Sequence, residues 1–61
     1  MPDLHEFDIT RIHTDIAQVE ELIMRTEWLV EQEQDAGMKL LLQDQLVAYR
    51  QELATLNALL A

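Results

Sequence analysis

Between Asp3 and Ala36 the chain contains neither glycine nor proline, and from Met38 to Ala61 there is again none; Gly37 and Pro2 are the only two in its 61 residues. These residue types are the strongest local breakers of regular structure. Two long unbroken stretches joined at one point therefore constrain the chain more than any other feature. Asp3 and Glu6 have capping-box spacing, with Asp3 as N-cap, and Gly37 suits the C′ position that ends a helix. The expectation is a single helical-hairpin domain over residues 1–61, with a helix over about 4–35, a turn at about 35–38 and a helix over about 39–60. One continuous helix running through Gly37 is the competing arrangement, because an interior glycine costs only about 1 kcal/mol.

Apolar periodicity supports two helices that face each other. In the first, Ile9, Ile12, Ile16, Val19, Ile23, Thr26 and Val30 follow alternating steps of three and four residues. That is a heptad seam, with a at Ile9, Ile16, Ile23 and Val30 and d at Ile12, Val19 and Thr26. Leu22 and Leu29 at g widen it. In the second, Leu42, Leu46, Tyr49, Leu53, Leu56 and Leu60 continue the same rhythm. The fold class read from this is all-α: a two-helix antiparallel hairpin, dimerising into a four-helix bundle.

Dimerisation follows from size. Below roughly 70–80 residues one core seldom supplies more than a few kcal/mol, and small folds then use disulfides, a metal or oligomerisation. The chain has no cysteine, so a disulfide or a cysteine-held metal is ruled out and a second copy is the remaining route. Lengths point the same way. At 1.5 Å per residue the first helix would run roughly 48 Å and the second roughly 33 Å, an overhang of roughly 15 Å. That overhang would carry Leu4, Phe7, Ile9 and Ile12, which a homodimer with a C₂ interface would cover.

The net charge is −8, and its distribution narrows the partners. Residues 1–36 carry ten acids against Arg11 and Arg25, a balance of −8, while residues 37–61 are neutral. Nucleic-acid binding needs clustered basic groups that displace counterions; Arg11, Arg25, Lys39 and Arg50 stand singly. Direct nucleic-acid binding and adsorption to an anionic membrane are not expected. No leader-like segment is legible, and no apolar run exceeds four residues, as at Leu46 to Tyr49, far short of a membrane span. The localisation expected is cytoplasmic.

No enzymatic constellation emerges. Serine and cysteine are absent, and the site checklist finds no nucleophile, base and oxyanion donor together. His5 and His13 lack the three or four convergent ligands of a zinc site. No cofactor is expected. The acid pairs Glu27/Glu31 and Glu31/Asp35 read as a solvated face, since nothing apolar at that spacing would separate their pKa values.

Candidate binding residues lie off the seam. Trp28, the only tryptophan, falls at f with Met24 one turn before it, a composition frequent at protein–protein contacts. In the second helix Leu40 and Val47 occupy b positions, apolar surface beyond what one seam uses. Glu20, Glu27, Glu31 and Asp35 form a candidate acidic surface.

In layout the chain resembles the hairpin dimers that bind RNA in plasmid copy control, though it lacks their basic face. It is also similar to hairpin co-chaperones of type III secretion in length and in its Leu-rich second helix. These likenesses are of architecture alone, so no residue roles follow from them. Three functions are expected in order. The first is a non-enzymatic adaptor, chaperone or regulatory subunit that binds another protein. The second is an acidic inhibitor, phage- or plasmid-encoded, that imitates nucleic acid. The third is structural self-assembly.

Overall fold

The computed structural model describes residues 6–61, with side chains from Asp8 onward. Two helices form, α1 (Glu6–Gln32) and α2 (Ala36–Leu60), and they pack on each other as a hairpin. The described chain is a slender rod of 47 × 17 × 12 Å. The continuous-helix arrangement is therefore not adopted.

The turn sits earlier than the sequence suggested, and its chemistry differs. The last amide of α1 to bond back along the helix is that of Glu33, to the Leu29 carbonyl at 2.9 Å. The Gln34 and Asp35 amides donate instead to the Glu33 carboxylate, both at 3.1 Å. A side chain has captured the donors that would have extended the helix, which ends α1 at Gln32. Asp35 then starts α2. Its backbone is extended, at φ −81° and ψ 121°, and its Oδ2 accepts the Met38 amide at 3.0 Å. An aspartate N-cap satisfies an orphan amide and places negative charge at the positive end of the helix dipole.

Gly37 consequently does not terminate a helix. It lies in the first turn of α2, and no glycine in the described residues has a positive φ. Its conformational freedom is unused. A Cβ at this position would meet only Asp35 Oδ2, at 3.4 Å. Gly37→Ala is expected to stabilise the hairpin by about 0.4–1 kcal/mol, because it narrows the unfolded ensemble. Thermal unfolding at fixed protein concentration checks this: Tm should rise, and a fall would mean that the added methyl displaces the Asp35 cap.

Moving the turn removes most of the expected overhang. The helices have 27 and 25 residues, so they differ by only about 3 Å in length. Ile12, expected on the overhang, is buried, and α2 is the element that covers it. Leu4 and the Phe7 side chain lie outside the described residues, as does the Asp3 cap.

The core is a thin seam. Ile12, Val19 and Thr26 of α1 and Leu46 of α2 are buried. Ile16, Ile23, Val30, Leu42, Tyr49, Leu53, Leu56 and Leu60 are half-buried, and Ile9 is at the margin of exposure. No described side chain is fully enclosed.

Candidate functional site

The heptad register gives each helix four positions around its seam, and one ion pair fixes how the two helices' positions correspond. Arg50 Nη2 lies 3.2 Å from Glu27 Oε2. Both residues occupy e positions, so the e rows of α1 and α2 border one side of the seam. The g rows border the other, as antiparallel packing of two heptad helices requires. Both partners are about half exposed, so the pair adds at most about 1 kcal/mol. Its value here is to distinguish two unlike broad sides of the hairpin.

The e side is polar. It carries His13, Glu20, Glu27, Gln43, Arg50 and Asn57, all exposed. The g side carries Leu22 and Leu29 from α1 and Met38 and Leu59 from α2, with Leu41 and Ala48 beside them at c. All six are exposed to solvent. Gln45 shares the g row of α2, Asp8, Asp15 and Glu52 share the g rows nearer the open end of the hairpin, and Arg11 and Arg25 flank the α1 row at c.

The four candidate binding residues are all exposed: Met24 at 71%, Leu40 at 62%, Trp28 at 58% and Val47 at 53%. Met24, Leu40 and Val47 hold b positions, which flank the e side, and Trp28 at f stands on the outer back of α1. None of them lies in a g row.

The acidic candidates divide by role. Glu27 is engaged with Arg50 and Asp35 caps α2, whereas Glu20 and Glu31 are exposed and enter no ion pair among the described residues. Glu21 pairs with Arg25 at 3.1 Å, one helical turn away. The Glu27–Arg50 pair and the Asp35 cap were missed in sequence. The first spans 23 positions and needs the helix register. The second had a legible signal, since aspartate is among the strongest N-cap residues.

Among the described residues no group of three His, Asp or Glu side chains converges as a metal site would require. His13 stands exposed on the e side, and His5 lies outside the described residues. No described helix is long and apolar enough to cross a membrane. The chain matches no known family model, no curated protein and no solved structure.

Proposed function

We propose that this protein is a non-enzymatic protein–protein interaction module that works as a dimer of hairpins, a four-helix bundle, and presents its remaining helix surface to another protein. One observation carries the reading. Among the described residues ten large hydrophobic side chains stand exposed while three are buried. Apolar surface of this extent supports contact with another chain where it is contiguous. Two kinds of contact have support: Leu22, Leu29, Met38 and Leu41 leave exposed apolar surface beside the seam in the half of the hairpin nearest the turn, and Met24, Trp28, Leu40 and Val47 sit apart from it, on b and f positions.

The acidic-inhibitor reading has less support. Ten acids in residues 1–36 supply the charge it needs, but two of its four candidate residues have structural partners, Glu27 with Arg50 and Asp35 as the cap of α2.

Affinity capture from the native host, compared between the wild type and a Met24→Ala/Trp28→Ala variant, tests the partner reading. The variant should keep the wild-type helicity and sedimentation mass yet retain the captured protein far less. Retention should also survive rising salt, since apolar contacts are not screened. A captured protein that is basic, is lost steeply with salt and is held equally by the variant would favour the charge mimic instead. Masses that climb without limit as concentration rises would favour self-assembly.

A further inference from the structure

The outer backs of the two helices, their b, c and f positions, differ in charge. That of α1 carries four charged residues, Arg11, Glu21, Arg25 and Glu31, and that of α2 carries one, Asp44. Leu40, Leu41 and Val47 on the back of α2 are each more than half exposed. We propose that the back of α2 is a docking surface for an amphipathic helix of another protein, one that carries an arginine or lysine within its apolar stripe and seats that cation on Asp44. The inference rests on the interaction reading above and adds a surface and the chemistry of its partner.

Position is the first argument. On a helix the neighbours of a residue are those three and four positions away. For Asp44 these are Leu40, Leu41, Val47 and Ala48, all apolar and all exposed. Asp44 enters no ion pair among the described residues. A single uncompensated carboxylate thus stands at the centre of an exposed apolar ring.

Desolvation then decides what can cover the ring. Any surface that removes water from the two leucines and the valine also removes it from Asp44. A buried carboxylate without a partner is strongly unfavourable, so a purely apolar occupant is rejected. A cation within the occupant's stripe converts the same group into a charge-assisted hydrogen bond. Selection of this kind works by penalising the wrong partner as much as by rewarding the right one.

Shape gives the helix. The backbone groups of α2 bond within the helix, so its back offers side chains and no strand edge. The stripe from Leu40 to Ala58 runs roughly 27 Å at 1.5 Å per residue. Ala48, Ala54 and Ala58 keep it low, which lets a second helix approach to about 8 Å between axes.

A second copy of the chain does not bring this chemistry. The back of its α2 carries another Asp44 and no cation, and its α1 brings Arg11 and Arg25 among the ten acids of residues 1–36. Met24 and Trp28 belong to α1, so the surface is separate from theirs.

A displayed library of amphipathic helices about 18 residues long, enough to span the stripe, tests this on the full chain. Helices selected on the wild type should carry Arg or Lys within the apolar stripe. They should bind Asp44→Asn on the order of 10-fold or more weakly, the low end of measured interfacial charge couplings. Leu40→Ala/Leu41→Ala should weaken them on the order of 100-fold, the scale of losing central apolar contacts. These positions are exposed in the hairpin, so far-UV helicity should persist in both variants. Selection on Asp44→Arg should enrich Asp or Glu in the stripe instead. Selected helices that bind Asp44→Asn and Leu40→Ala/Leu41→Ala as tightly as the wild type, or no enrichment at all, would overturn the inference. Helices lost only in Met24→Ala/Trp28→Ala would overturn it too, yet leave the interaction reading standing, which capture from the native host decides separately.

Discussion

Leu46→Ala is expected to remove most of the hairpin's stability. Leu46 is the one buried residue of α2, at 6% exposure. Truncating a buried leucine costs about 2–5 kcal/mol, the lost transfer energy plus a residual cavity. A chain of 61 residues has about 3–9 kcal/mol in total at typical stability per residue. The variant should therefore lose far-UV helicity near room temperature or melt tens of degrees lower. Leu40 gives the control, with the same side chain on the same helix at 62% exposure. Leu40→Ala should change stability by less than about 0.5 kcal/mol. Denaturant titrations of both variants read the contrast directly, and similar midpoints would mean that the seam does not hold the fold.

The second large effect runs the other way. Thr26 occupies a d position in a row otherwise made of isoleucine and valine, and it is buried. Thr14 and Thr55 bond their hydroxyls to carbonyls four residues earlier, both at 3.0 Å; the Thr26 hydroxyl forms no such bond. Among the described residues no buried side-chain oxygen lacks a partner, so this hydroxyl keeps a sliver of water contact at the seam's edge. Replacing it with a methyl of similar size removes a partly desolvated polar group. Thr26→Val should stabilise by about 1 kcal/mol, which raises Tm by about 4–8 °C for a chain of this size. The comparison must be made at one protein concentration, because association would also move Tm. An unchanged or lower Tm would show that the hydroxyl is better solvated than its burial implies.

The parts of this fold legible in the sequence were those set by local repetition. The three-four spacing of Ile9 to Val30 and of Leu42 to Leu60 is a property of each helix alone, so it marked the facing rows without any knowledge of the turn. The reversal was harder to place. Gly37 is a strong helix-ending signal, yet the Glu33 carboxylate accepts the Gln34 and Asp35 amides before it and the Asp35 carboxylate accepts the Met38 amide just after it. Such bonds depend on side-chain geometry rather than composition. The expected overhang is shorter among the described residues for the same reason: shifting the turn by a few residues shortens one helix, lengthens the other, and brings Ile12 under α2, while Ile9 stays at the margin of exposure. The unlike sides of the hairpin were the least legible. Leu22, Leu29, Met38, Leu41 and Leu59 look unrelated along the chain until Glu27 meets Arg50 and shows which rows share a side.

The placement of the two large chromophores has an optical consequence. Tyr49 lies half-buried in the seam, while the sole tryptophan stands on the outer back of α1, more than half exposed. The indole is already in contact with water in the folded hairpin, so its emission wavelength should shift little on heating. The phenol in the seam changes surroundings when the helices part. Tyrosine fluorescence therefore follows the coming together of the two helices, and a blue shift of the tryptophan band follows whatever settles on the outside of the rod. Two wavelengths, with no added dye, separate assembly from recognition.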